Sequence, residues 1–144
     1  MFDQIIKLGR KTVVAMVHVP ALPGSPDYDS ATGMNKLLDS VVADLEALQS
    51  GGVDAVMFGN EFDRPYVLTA PPEGLAALAS VIGQVKSMIK IPFGVNYLWD
   101  PVATVALAIA TEASFAREIF TGVYASDMGL WAPDCAGAAR LRSS

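Results

Sequence analysis

The chain holds one cysteine, Cys135, and one histidine, His18. A single cysteine excludes an internal disulfide framework and a metal site built from several thiolates, and it suits a reducing compartment. Charge is also scarce. Only 17% of the 144 residues are Asp, Glu, Lys or Arg, and the formal net charge is −5. No Lys/Arg cluster offsets that deficit, which argues against a nucleic-acid partner. Long apolar runs are missing. The most apolar stretch, Val102 to Ala110, is far short of the roughly 20 residues a membrane span needs. Met1 to Arg10 has no continuous apolar core, so no secretory signal is expected. A cytoplasmic protein, peripheral to a membrane at most, is the expectation. Dinucleotide, P-loop, His-x-His and nucleophile-elbow motifs are absent. The lysines Lys7, Lys11, Lys36, Lys86 and Lys90 fall near strand starts or on helices, so none is placed for a Schiff base.

Apolar residues are abundant: 52% of the chain, with a mean hydropathy of +0.38. Such an excess fits strands buried on both faces, and also a fragment whose missing half covers exposed surface. The pattern repeats a short β-rich run, a turn and a helical period, which implies βαβ units and a parallel sheet. A first strand spans Thr12 to Val19. The loop Pro20 to Ser30 leads to a helix with apolar residues at Met34, Leu37, Leu38, Val41, Val42, Leu45 and Leu48, one continuous stripe. Gly51 and Gly52 end it. A second strand covers Val53 to Phe58. The second helix opens at Pro71 or Pro72, with Thr69 as a nearby cap, and carries Leu75, Leu78, Ile82, Val85 and Ile89. A third strand spans Ile91 to Leu98, and Asp100 caps a third helix with Pro101 in its first position. A fourth strand runs from about Ser114 to Phe120. A loop holding Asp127 and Gly129 follows, and Pro133 and Asp134 open a fourth helix.

Four units are half of a (β/α)8 barrel, which typically needs about 250 residues. Residues 1–144 therefore read as a single-domain fragment, the N-terminal half of a TIM barrel. The main rival is an open doubly wound sheet. Polar residues recur at the end of every strand: His18, Asn60 with Glu61, Asn96, and Arg117 with Glu118. A barrel gathers such groups around one mouth, whereas an open sheet concentrates them at one switch point.

Those residues are the candidate site. His18 suits proton transfer near neutral pH or an anion contact, and equally a role holding the first loop. Glu61 suits a general base or a hard-cation ligand. Its neighbours Asp63 and Arg64 read as a loop clamp. Asn60 belongs to the same cluster. Asn96 suits a substrate hydroxyl or carbonyl, or a bridge between strands. Arg117 and Glu118 alternate in the strand, so only one enters the lumen. Arg117 is expected there, meeting Glu61 or a ligand anion, with Glu118 facing the helix layer; the reverse assignment is the alternative. Asp127 suits a ligand contact or an Asx turn. Cys135 reads as a small packing residue.

Three segments taken together carry a family resemblance: Met16-Val17-His18-Val19-Pro20-Ala21-Leu22-Pro23-Gly24-Ser25-Pro26, Asn60-Glu61-Phe62-Asp63-Arg64-Pro65-Tyr66, and Pro92-Phe93-Gly94-Val95-Asn96. Ser126-Asp127-Met128-Gly129-Leu130 agrees with them. In that order they resemble the BtpA/SgcQ family. The resemblance implies a TIM barrel nearly twice this length, with the second half absent here. It implies a link to photosystem I biogenesis for some members and sugar-metabolism settings for others. It carries over His18, Glu61, Asn96, Arg117 and Asp127 as motif positions, with no assigned reaction and no known cofactor.

Two functional expectations follow. One is an enzyme, or enzyme-derived binder, for a small polar or phosphorylated metabolite, sugar- or nucleoside-like. The other is a non-catalytic factor for assembly of a membrane protein complex, with the loop residues Trp99 and Trp131 as contact anchors. A half barrel also leaves two edge strands unpaired, so a homo-oligomer or the missing half is expected to complete it; an inactive truncated product is the third reading.

Overall fold

The apolar run at the start of the chain forms β1 (Val14–His18), which alternates between two environments. Val17 and Val19 are buried against helices, while Met16 and His18 point to the opposite face. The computed structural model describes residue 6 and residues 9–143. The expected absence of a leader in Met1 to Arg10 thus falls mostly outside the described residues.

The chain then alternates helix and strand: α1 (Gly33–Ser50), β2 (Ala55–Gly59), α2 (Pro72–Val85), β3 (Phe93–Asn96), α3 (Pro101–Thr111) and β4 (Phe115–Ala116). The four strands are parallel in the order β1-β2-β3-β4. This is the start of a TIM barrel. One face of the sheet meets the helices: Val56, Phe58, Phe93 and Val95 pack with Leu37, Val41 and Leu45 of α1 and Leu78, Val81 and Ile82 of α2. Each such side chain, fully buried, contributes about 1.5–3 kcal/mol. The other face is the lumen side and carries Met16, His18, Met57, Gly59, Gly94 and Asn96.

Asp100 caps α3 as its side chain accepts from Ala103 N at 2.9 Å, with Pro101 following it. Its second oxygen accepts from Ala70 N at 2.8 Å. The expected Thr69 cap on α2 is not formed. Pro71 stands at that N-cap with no side-chain bond, and Asp100 from the next unit secures the entry. α2 ends at Val85 and tightens into a 3-10 turn over Lys86–Met88, so Ile89 is off the helix.

β4 is much shorter than the Ser114 to Phe120 run expected. Its ladder to β3 is continued by Ser114 N to Phe93 O at 2.8 Å and Arg117 N to Val95 O at 3.1 Å, then stops. The segment read as a plain loop folds into an antiparallel hairpin, β5 (Tyr124–Ser126) and β6 (Gly129–Trp131), before α4 (Cys135–Arg142). α4 packs mainly on α3. Cys135, expected to pack, is exposed at its first position.

Candidate functional site

Register builds the site. His18 pairs with Gly59, and Gly59 pairs with Asn96. One row across the C-terminal strand ends therefore reads His18, Gly59, Asn96, all on the lumen side. Neighbouring strands lie about 4.8 Å apart, so His18 and Asn96 stand roughly 10 Å apart with a bare glycine between them. A Cβ at Gly59 would sit 3.3 Å from Met16 Cε and 4.0 Å from Asn96 Oδ1. The Met16 methyl therefore covers Gly59 closely, with the Asn96 amide oxygen beside it.

His18 is half-buried. Among the described residues it has no hydrogen-bonding partner, and its ring meets the edge of Phe62 at 6.0 Å between centroids. Glu61 follows β2 beside Phe62 and is half-buried. The Tyr66 hydroxyl donates to its carbonyl at 2.8 Å and lies 3.5 Å from its Oε1. Its carboxylate has no ion pair among the described residues.

Asn60, Asp63 and Tyr97 form a buried clamp beneath this row. Asn60 Oδ1 accepts from Leu98 N at 2.8 Å, joining the ends of β2 and β3. Asp63 accepts from Leu22 N at 3.2 Å and from the Tyr97 hydroxyl at 3.4 Å, so it ties three loops together. Burial, with the nearby charges of Asp63, Glu73 and Asp100, pushes the Tyr97 hydroxyl far above its ordinary value. It stays a neutral donor. Tyr97 was not singled out from the sequence, though its place directly after Asn96 marks it as a strand-end group.

At the end of β4 the expectation needs correction. Phe115 lies on the Gly94 side, and continued alternation would put Arg117 on the same lumen side, but its side chain is exposed. It makes no ion pair with Glu61. Glu118 is the engaged residue, and it meets the lumen-side Asn96 rather than facing the helix layer as expected. Its Oε2 accepts from Asn96 Nδ2 at 2.7 Å and Trp99 N at 2.9 Å, and its Oε1 from Ile119 N at 2.7 Å. β4 ends at Ala116, so strand alternation does not fix the side chains of Arg117 and Glu118. Asn96 donates also to Arg117 O at 2.6 Å, which makes it a bridge between strands.

Asp127 sits exposed in the tight turn of the β5–β6 hairpin; the turn is closed by Ser126 Oγ accepting from Met128 N. Trp99 and Trp131 are not the exposed anchors expected. Their rings meet edge to face at 5.2 Å, and Trp131 is 5% exposed. Tyr66 and Tyr124 extend that aromatic cluster. Trp99 takes a left-handed backbone with φ 71°. Among the described residues no group of three His, Cys, Asp or Glu is placed to hold a metal ion.

With this geometry in hand, comparison with known proteins is decisive for the family. The BtpA family profile matches residues 9–144. The chain belongs to the BtpA family. A relative, the sgc region protein SgcQ of Escherichia coli (strain K12), is 60% identical over 121 residues, covering 84% of this chain and 45% of SgcQ. The photosystem I biogenesis protein BtpA of Synechocystis sp. (strain PCC 6803) is 29% identical over 121 residues, covering 82% of this chain and 42% of that protein. The chain thus spans less than half the length of these relatives. Among solved structures, a Xanthomonas albilineans dihydropteroate synthase in complex with indole-2-carboxylic acid and 6-chloroguanine superposes with a TM-score of 0.57. It is 23% identical and aligns with 82% of this chain and 39% of its own, which establishes the barrel fold alone. No helix of the described BtpA-family chain is long and apolar enough to cross a membrane.

Proposed function

We propose that this BtpA-family chain supplies half of a barrel mouth that binds a small polar or phosphorylated metabolite. The row His18, Gly59, Asn96 carries the reading. It sets a histidine without a hydrogen-bond partner among the described residues and the Asn96 amide on one face at the C-terminal end of the sheet, which supports a shared polar ligand. In this proposal His18 and Glu61 are the proton-transfer pair, one at the end of β1 and the other just past β2. Asn96 orients a hydroxyl or amino group through Oδ1, Asn60 holds the floor, and Arg117 and Asp127 contact the ligand from the rim. The experiment is a thermal-shift screen with sugar phosphates, nucleosides and divalent cations, since a ligand that binds only the folded state raises its melting point. A shift lost in both Glu61→Gln and His18→Ala supports the reading. A shift unchanged in both removes it.

A second reading rests on the printed name of the Synechocystis relative, biogenesis of photosystem I. The hairpin supports it by displaying Val123, Tyr124 and Leu130 at 67%, 42% and 75% exposure. A membrane-complex partner retained by the native chain and lost in Val123→Ser/Leu130→Ser would favour this second reading.

A further inference from the structure

Two costs fall on one residue beyond the end of β3. Trp99 has a left-handed backbone, which a bulky side chain rarely adopts. Its indole Nε1 is sealed from solvent and finds no acceptor among the described residues. Nearly all buried donors in folded proteins are paired, and one left unpaired is costly. The fold holds both costs in place. Trp99 N donates to Glu118 Oε2 at 2.9 Å, and on its other side Asp100 N donates to Tyr97 O at 3.2 Å. Strain of this kind collects at ligand clamps and switch regions, and the ends of barrel strands are where this fold binds its ligands.

We infer that Trp99 is a ligand-binding residue, its indole N–H donating to an uncharged acceptor set on the flat ring of a small ligand. The ligand is that of the proposed function, on which this assignment rests. Trp99 joins two sides of that mouth. Through its backbone it shares Glu118 with Asn96, whose Nδ2 donates to the same oxygen at 2.7 Å. Through its ring it meets Tyr66, at 6.4 Å between centroids, and the Tyr66 hydroxyl donates to Glu61 O at 2.8 Å. The chemistry around it selects the ligand. An indole N–H is a neutral donor with nothing to accept in return. Glu118 brings negative charge against the same residue, which disfavours a phosphate or carboxylate as the acceptor. Tyr66, and Trp131 at 5.2 Å edge to face, supply apolar ring surface. A hydroxyl, carbonyl or ring nitrogen beside a flat ring face fits all three, as in a nucleobase or the ring of a sugar. The Trp131 ring occupies the place beside the indole. Trp131 ends β6, and among the described residues no hydrogen bond ties the β5–β6 hairpin to the turn at Trp99. A ligand ring therefore displaces it without breaking such a bond.

Two measurements test it. The first is hydrogen exchange and needs neither a variant nor a ligand. The chain has two tryptophans, so its two indole protons are followed separately in nitrogen–proton spectra, Trp99 by its contacts to Tyr66. A donor that serves a ligand has to open locally, so the Trp99 indole proton should be protected about a hundred-fold less, or weaker still, than the amides of β2. Protection equal to that of the Val56 and Phe58 amides means that the indole opens only on global unfolding, and overturns the proposal. The second measurement compares the native chain with Trp99→Phe, which keeps a ring and removes the donor. Adenosine, uridine and glucose 6-phosphate are the probes, titrated calorimetrically. The variant should bind the effective probe roughly three- to ten-fold more weakly, the worth of one neutral hydrogen bond. In the native chain the Trp99 indole signal should move downfield as that probe binds. An effect confined to the nucleosides assigns the acceptor to a base, and one shared with glucose 6-phosphate assigns it to a sugar ring; either supports the proposal. A probe whose affinity depends on Glu61 and His18 but is equal in the native chain and Trp99→Phe overturns the role of Trp99 and leaves the proposed mouth standing. No binding by any probe overturns both.

Discussion

The Glu118 carboxylate accepts a hydrogen bond from the Asn96 amide at 2.7 Å and, through the same oxygen, from Trp99 N at 2.9 Å. One acid thus fixes the end of β3, the left-handed turn at Trp99 and the chain leaving β4. Its neighbour Arg117 is exposed and fixes nothing of that kind. Glu118→Ala should cost about 1–3 kcal/mol by leaving buried donors unpaired. Glu118→Gln keeps one accepting oxygen and should cost less. Arg117→Ala should stay within about 0.5 kcal/mol. Urea unfolding of the three variants checks the order.

Gly94 is fixed by packing. A Cβ there would run into the ring of Phe115 on the adjacent strand. Gly94→Ala should destabilise by about 1–3 kcal/mol through overpacking. Phe115→Leu in the same chain should recover part of that loss. A double-mutant cycle measures the coupling, and purely additive effects would contradict the contact.

Tyr97 gives an alkaline signature. The ordinary tyrosine ionises near pH 10, while burial and then the charge of Asp63 hold Tyr97 neutral well beyond that. Below pH 10 the hydroxyl is protonated in folded and unfolded chains alike, and its contribution is fully present. As pH rises further the unfolded chain loses its proton first, so stability falls. Melting temperature against pH should drop more steeply above pH 10 in the native chain than in Tyr97→Phe. Parallel curves would show that Tyr97 does not titrate as described.

Asp100 serves two units. One oxygen caps α3 at Ala103 N and the other accepts from Ala70 N ahead of α2. Asp100→Ala should cost about 1–3 kcal/mol, more than an isolated cap whose loss is typically about 1 kcal/mol. Asp100→Asn keeps a cap oxygen but places an amide against one of the two N–H donors. It should fall between, as read from thermal unfolding.

Local signals made much of this fold legible. The α1 stripe and the Asp100-Pro101 start of α3 are nearest-neighbour chemistry, and they appear as read. Errors arose where the next unit in space decided the outcome. Thr69 lost the capping role because Asp100 reaches Ala70 from another loop. β4 ends at Ala116 although the β-rich pattern runs on to Phe120, because the Glu118 carboxylate draws the chain to Asn96 and Trp99. The hairpin β5–β6 is closed by Gly129 with φ +98°, yet each strand is only three residues long, too short for a period to register. The faces of Arg117 and Glu118 were not legible, because β4 ends at Ala116 and the groups that engage Glu118 come from β3 and the turn after it. The two tryptophans read as exposed because the sequence placed both in loops; Trp131 ends β6, and their mutual contact spans 32 positions of sequence.

The Asp63 clamp and the twin bonds of Asp100 have a mechanical consequence. They cross-brace the loops after β1, β2 and β3, so these cannot shift independently without breaking buried bonds. Among the described residues the β5–β6 hairpin has no such brace to them and rests on ring contacts through Trp131 and Tyr124, with Gly122 at φ +108° where it departs. These three loops therefore act as one stiff collar, and the hairpin is the piece beside them freest to swing.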